Sequence, residues 1–179
     1  MREDVKKVLF DEEQLAKKVN ELGTQISKDY KGKDLIVVGV LKGSVVFAAD
    51  LIKNITIPCE IDFMAVSSYG NATESSGVVR IIKDLDHNIE GKHVLLVEDI
   101  VDSGITLTYL LKYLKARKAE SIEIVTLLNK PERRTVDLDV KYIGFEVPNE
   151  FIIGYGIDYA EKYRNLPFVG VLKEEVYNK

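Results

Sequence analysis

VLLVEDIVDSGIT, residues 94–106, passes from an uninterrupted apolar run into three carboxylates, a serine–glycine pair and a threonine. An apolar run without alternation is expected of a strand covered on both faces. Beyond it, Leu107, Leu110, Leu111 and Leu114 recur at the i, i+3, i+4, i+7 spacing of an amphipathic helix. Strand, acidic turn and helix thus follow one another directly, as in one unit of a parallel α/β sheet.

Both flanks repeat the unit. Upstream, LIVVGV (35–40) is a second buried run, LKGS (41–44) follows it, and Val45–Ile55 reads as a helix capped by Ser44. Downstream, IEIVTLL (122–128) is a third run, followed by NKPERR (129–134). Residues 11–30 form a further helix by pattern: Asp11 can cap it, Gln14 holds the capping-box position, and Leu15, Val19, Leu22 and Ile26 share a face. EIDFMAVSSY (60–69) reads as extended, NATESSG (71–77) as a polar, mobile loop and VVRII (78–82) as a returning strand. YIGFEV (142–147), FIIGY (151–155) and FVGVL (168–172) are shorter extended pieces. Ligands of such sheets bind beyond the carboxyl ends of the strands. LKGS, EDIVDSG and NKPERR each leave one of those ends, so the three should face one crevice.

Composition narrows the function. At 179 residues, with no linker, repeat or composition shift, a single domain spanning 1–179 is expected. A formal charge of −4 argues against a general affinity for nucleic acid. MREDVKKVLFDEE has neither a secretory nor a membrane-spanning pattern, and no later apolar run reaches spanning length, so no membrane partner is expected. The single cysteine, Cys59, closes no internal disulfide, which fits a reducing, cytoplasmic setting, and it reads as a small core residue. His87 and His93 read as surface residues; with Cys59 they lack any zinc-ligand spacing.

The 94–106 stretch also carries chemistry. Ser103, Gly104 and Thr106 stand where a helix N-terminus offers unpaired N–H groups and hydroxyl donors, a setting that suits a phosphate monoester. Glu98 and Asp99 repel one another, and ribose hydroxyls or Mg²⁺ would relieve that repulsion. Asp102 should lie between the phosphate and a base. A plain acidic turn with solvated carboxylates is the alternative on pattern alone.

This stretch closely resembles the phosphoribosyl-pyrophosphate signature of type I phosphoribosyltransferases. The resemblance is strongest to hypoxanthine-guanine phosphoribosyltransferases, and it runs through LKGS, SSYGN (67–71), the lysine of NKPERR and FEVPNEFIIGYGIDYAEKYRNLP (145–167). It implies an α/β, type I phosphoribosyltransferase fold: a mainly parallel central sheet flanked by helices, with a small hood and a mobile loop. The implied reaction transfers the 5-phosphoribosyl group of phosphoribosyl pyrophosphate to N9 of hypoxanthine or guanine, with Mg²⁺ as cofactor and a homodimer or homotetramer as the assembly.

Roles follow from the matched positions. Asp102 is implied as the catalytic proton acceptor. The segment Asp102, Ser103, Gly104, Ile105 and Thr106 would hold the 5′-phosphate, and Glu98 and Asp99 the ribose hydroxyls and associated metal. Lys42, Gly43 and Arg164 would bind pyrophosphate, with a cis peptide expected between Leu41 and Lys42. Lys130 would donate to the purine's exocyclic oxygen, Phe151 would stack on the base, and the Ile152 backbone would meet its edge. Asp158 is implied on the base side and as a further metal ligand. Ser68 and Tyr69 match the mobile loop that closes over the site.

The chain departs from the family's more complex members at Ala65, Ser67 and Ile105, where basic residues are common, so different subunit contacts near the pyrophosphate are expected. Rival readings are an enzyme of the same fold that prefers xanthine or adenine, and an RNA-binding regulator that retains the fold. Lys130 argues against adenine; the negative charge argues against RNA. A synthase making phosphoribosyl pyrophosphate would need an ATP site, and no Gly-x-x-x-x-Gly-Lys-Ser/Thr loop is present.

Overall fold

A computed structural model describes residues 1–69 and 78–178. The expected loop 71–77 lies outside the described residues. A six-stranded sheet is built from β2 (Leu35–Leu41), β3 (Glu60–Tyr69), β4 (Val78–Lys83), β5 (His93–Val101), β6 (Ser121–Asn129) and β7 (Tyr142–Glu146), in the order β4-β3-β2-β5-β6-β7. All neighbours are parallel except β3 and β4, which pair antiparallel at the edge, with Ser68 opposite Val79 and Tyr69 opposite Val78.

The apolar runs are continuous because both sheet faces are covered. Val37, Leu95, Val97, Val125 and Leu127 point to one side, where they meet Leu15, Val19, Leu22 and Ile26 of α1 (Glu12–Asp29) and Phe47 and Leu51 of α2 (Val45–Asn54). Ile36, Val38, Val94, Leu96 and Ile124 alternate with them and meet Leu107, Leu110 and Leu114 of α3 (Ile105–Lys115) on the other side. The helix after β2 and the helix after the adjacent β5 therefore lie on opposite faces. Their connections part at the carboxyl ends of these two strands and leave a crevice there.

The capping box at α1 forms as expected: the Gln14 N–H donates to Asp11 Oδ1 at 2.8 Å and the Asp11 N–H to Gln14 Oε1 at 3.0 Å. Ser44 does not cap α2 with its side chain. Its buried hydroxyl donates instead to the Val40 carbonyl at 2.7 Å, tying the loop back to the strand it has just left. Nor is His93 a surface residue. It opens β5, partly buried, with Nδ1 2.7 Å from Ser121 Oγ on β6.

The remaining strands form a separate hood sheet in the order β1-β9-β8, from β1 (Val5–Phe10), β9 (Val169–Leu172) and β8 (Ile152–Ile153). YIGFEV joins the main sheet, whereas FIIGY and FVGVL supply the hood. β1 was not expected as a strand: its two lysines break the apolar pattern, and its place comes from antiparallel pairing with β9. A short helix, α4 (Glu174–Tyr177), follows the hood.

Candidate active site

At the end of β5, Gly104 adopts φ +84° and forms the N-cap of α3. A Cβ there would sit 3.0–3.2 Å from Val136, Arg134 and Leu138, so glycine answers both the left-handed backbone and the close approach. Ser103, Gly104 and Thr106 line a cavity of 120 Å³ together with Glu98, Ile100 and Asp102. The first backbone N–H groups of α3 have no intrahelical acceptor and carry the positive end of the helix dipole. Ile105 begins the helix without lining the cavity, and its N–H lies 3.4 Å from Ser103 Oγ.

Asp102 and Ile100 also line a second cavity of 700 Å³, with Lys130, Phe151 and Ile152. The end of β6 is pinned beside this cavity. The Lys130 N–H donates to Val101 O at 2.9 Å and the Thr135 N–H to Ser103 O at 3.1 Å. Arg133 Nε lies 3.0 Å from Asp102 Oδ1, and Arg134 donates to Asp102 O and, through Nη2, to Asn129 Oδ1 at 2.5 Å. Lys130 is buried, with Nζ donating to the Glu150 carbonyl at 2.7 Å, and burial pulls its pKa below the ordinary lysine value. Phe151 is exposed, with Tyr177 and Tyr159 against its ring.

On the other side of Asp99 lies the loop after β2, whose Leu41–Lys42 peptide is cis, as expected. A Cβ on Gly43 would come 1.9 Å from Asp99 Oδ2, and one on Gly156 would come 2.2 Å from the Gly43 carbonyl. Three chain segments thus meet where two glycines permit contact. Lys42 Nζ lies 2.9 Å from Glu161 Oε2, and Arg164 Nη2 lies 3.3 Å from Glu161 Oε1 and 3.0 Å from Asp158 Oδ1. Arg164 Nε is buried without a hydrogen-bond partner among the described residues. Burial, then the neighbouring Asp99 charge, hold the Glu98 carboxyl well above its ordinary pKa. Asp99 is raised by burial as well, opposed by the Ile100 N–H bonded at 2.8 Å and by Arg164.

The residues picked out by sequence therefore fall into three adjoining groups: Ser103, Gly104 and Thr106; Asp102, Lys130, Phe151 and Ile152; and Lys42, Gly43, Asp99 and Arg164. Asp158 stands in the third group, paired with Arg164, and does not line the larger cavity. Among the described residues, Glu98, Asp99 and Asp158 do not form a cluster of three or more metal-ligating side chains. Also among them, no helix is long and apolar enough to cross a membrane. Sequence reasoning missed Arg133 and Glu161. Arg133 sits in the quoted NKPERR segment and could have been flagged, whereas nothing in its local pattern marks Glu161.

A small strand-end cavity thus adjoins a larger one lined by an acid, a lysine and an aromatic ring, on a fold of the phosphoribosyltransferase class. In agreement, the family model described as "Phosphoribosyl transferase domain" matches residues 7–160. The chain is 57% identical over 179 residues to the hypoxanthine-guanine phosphoribosyltransferase of Streptococcus thermophilus, covering 100% of this chain and 99% of the relative. It is 55% identical over 177 residues to that of Bacillus subtilis, covering 99% and 98% respectively. A crystal structure of a hypoxanthine phosphoribosyltransferase from Staphylococcus aureus superposes with a TM-score of 0.97 at 54% identity, covering 100% of this chain and 97% of that one. The chain belongs to the phosphoribosyltransferase family, in its hypoxanthine-guanine branch.

Proposed function

We propose that this protein transfers the 5-phosphoribosyl group of phosphoribosyl pyrophosphate to a 6-oxopurine, hypoxanthine or guanine, releasing pyrophosphate. The observation that carries this reading is that Asp102 lines both cavities, with Ser103, Gly104 and Thr106 on one side and Lys130, Phe151 and Ile152 on the other.

The 5′-phosphate is assigned to Ser103, Gly104, Thr106 and the first N–H groups of α3. The base is assigned to the larger cavity, stacked on Phe151 with its edge against the Ile152 backbone. Lys130 Nζ, in place of its bond to the Glu150 carbonyl, donates to the purine's exocyclic oxygen. A 6-amino group there would leave the ammonium unpaired, which selects against adenine. The N9–C1′ bond forms as the bond from C1′ to the pyrophosphate oxygen breaks. The proton shed by the purine ring passes to Asp102, whose Oδ1 is oriented by Arg133 Nε at 3.0 Å. Lys42, Gly43 and Arg164 take the departing pyrophosphate.

Two adjacent carboxylates, Glu98 and Asp99, are hard oxygen donors that suit Mg²⁺, with the substrate's own hydroxyl and phosphate oxygens completing its shell. Bound there, and at a second position near Asp158, Mg²⁺ would neutralise charge on the leaving group. A homodimer or homotetramer, a cytoplasmic location and a single domain over residues 1–179 belong to the same reading, carried by the family resemblance.

The test incubates purified protein with phosphoribosyl pyrophosphate and Mg²⁺, and separately with hypoxanthine, guanine, xanthine, adenine, uracil or orotate. Nucleotide and pyrophosphate formed in step with hypoxanthine and guanine, and absent without Mg²⁺, is the expected result. Preference for xanthine would correct the base assignment, and binding of phosphoribosyl pyrophosphate without product from any base would overturn the reading.

A further inference from the structure

Phe151, the ring assigned above to the base, is itself held by a second aromatic side chain. The Tyr177 ring lies 4.9 Å from it between centroids at an interplanar angle of 26°, and Tyr159 meets it edge-on at 5.2 Å and 89°. Phe151 and Tyr177 line the same 700 Å³ cavity as Ile100, Asp102 and Lys130, and Phe151 remains 38% exposed. Tyr177 stacks on one face of the Phe151 ring, and the part of the ring that remains exposed is what a ligand in this cavity can meet.

The hood turns the chain end back over Phe151. The Leu172 N–H donates to the Phe151 carbonyl at 2.8 Å, and the Lys173 N–H to Asp4 O at 2.9 Å. Lys6 Nζ lies 3.6 Å from Glu174, on the same short helix as Tyr177. Val176 and Tyr177 pack against the hood cluster that contains Ile153, Phe168 and Leu172.

We propose that Tyr177 is a positioning residue for purine binding: stacked on one face of Phe151, it holds that ring in the plane that receives the base on the other face. The inference rests on the assignment of Phe151 to the base. An exposed phenylalanine beside a two-residue strand samples several rotamers, and a ligand that needs one of them binds more weakly in proportion to the others. A stacked aromatic partner removes part of that freedom. An aromatic pair of ordinary strength corresponds to about 2- to 10-fold in affinity. The tyrosine ring supplies the effect, and its hydroxyl is not required.

The experiment compares Tyr177→Leu, Tyr177→Phe and Phe151→Leu with the parent. It measures KM for hypoxanthine, KM for phosphoribosyl pyrophosphate, kcat and the thermal midpoint. Tyr177→Leu keeps apolar bulk against the hood but cannot stack. It should raise the hypoxanthine KM about 2- to 10-fold with phosphoribosyl pyrophosphate KM and thermal midpoint near the parent's, and Tyr177→Phe should restore the parent KM. Phe151→Leu raising the hypoxanthine KM while Tyr177→Leu leaves it unchanged would overturn this inference and keep the base assignment. Phe151→Leu without effect would remove the base assignment, and this inference with it. A lower hypoxanthine KM in Tyr177→Leu would show that Tyr177 obstructs the base, and parallel rises in both KM values would reduce it to a packing residue; either result overturns the proposal.

Discussion

Gly43 and Asp99 touch: a Cβ on the glycine would come 1.9 Å from Oδ2 of the aspartate, although one residue follows β2 and the other lies within β5. The contact joins the loop assigned to pyrophosphate to the carboxylates assigned to ribose. Gly43→Ala should therefore displace one of them. We expect a loss of about 1–3 kcal/mol in stability from overpacking and a rise of at least about 10-fold in KM for phosphoribosyl pyrophosphate, the equivalent of about 1.4 kcal/mol. Denaturant unfolding and initial-rate kinetics measure the two, and an unchanged KM would dissociate the contact from substrate binding.

Asp102 is the ionisable group shared by the two cavities. Asp102→Asn keeps the size and an acceptor for Arg133 but cannot take a proton at neutral pH. It should lower kcat about 10²- to 10⁴-fold, with binding of phosphoribosyl pyrophosphate little changed. Single-turnover rates together with equilibrium binding separate these effects. A variant that turns over at the parent rate would end the general-base assignment.

Lys130 tests selectivity. Lys130→Gln removes the charge from a buried donor now bonded to the Glu150 carbonyl at 2.7 Å. A charged hydrogen bond contributes about 1.5–3 kcal/mol, so kcat/KM for hypoxanthine should fall about 10- to 100-fold while KM for phosphoribosyl pyrophosphate holds. Competition between hypoxanthine and adenine reads the selectivity directly, and an unaltered ratio would count against the role.

Asp62 governs part of the acid stability. Buried on β3, its carboxylate accepts from the backbone N–H groups of Phe63 at 2.7 Å, Asp86 at 2.9 Å and His87 at 3.0 Å, and bonds His87 Nδ1 at 3.0 Å. Burial pushes this carboxyl up, but the His87 ring and the N–H donors outweigh it and hold the pKa below its ordinary value. A depressed folded-state pKa gives stability that is complete above the unfolded value, about 3.9, and is lost as pH falls through the lower folded value. Asp62→Asn should cost about 1–3 kcal/mol near pH 7, and its deficit should shrink below about pH 3.9. Urea unfolding at both pH values measures this; a deficit that grows in acid contradicts it.

Much of this was legible in the chain because the signals are local. Both-face burial writes itself as uninterrupted runs such as LIVVGV and VLLV, and the α1 capping box is a three-residue relation between Asp11 and Gln14. The signature at 94–106 was equally readable, since its strand, turn and helix are contiguous. Ser44 misled because a serine before a helix usually caps it, whereas here its hydroxyl turns to Val40. His93 misled because a polar residue at the start of a strand gives no sign of the Ser121 hydroxyl that will face it.

By itself, then, the sequence determined the alternation of strands and helices, the glycine turn between β5 and α3, and the family to which the chain belongs. Tertiary structure alone decided that β1 pairs with β9, that Glu161 bridges Lys42 and Arg164, and that Tyr177 covers Phe151. The reason is separation along the chain. Lys42 and Glu161 stand 119 positions apart, and no periodicity or turn preference links residues so distant. Their contact exists because burying both faces of the main sheet fixes where its strand ends lie, and the hood returns the tail of the chain to that edge.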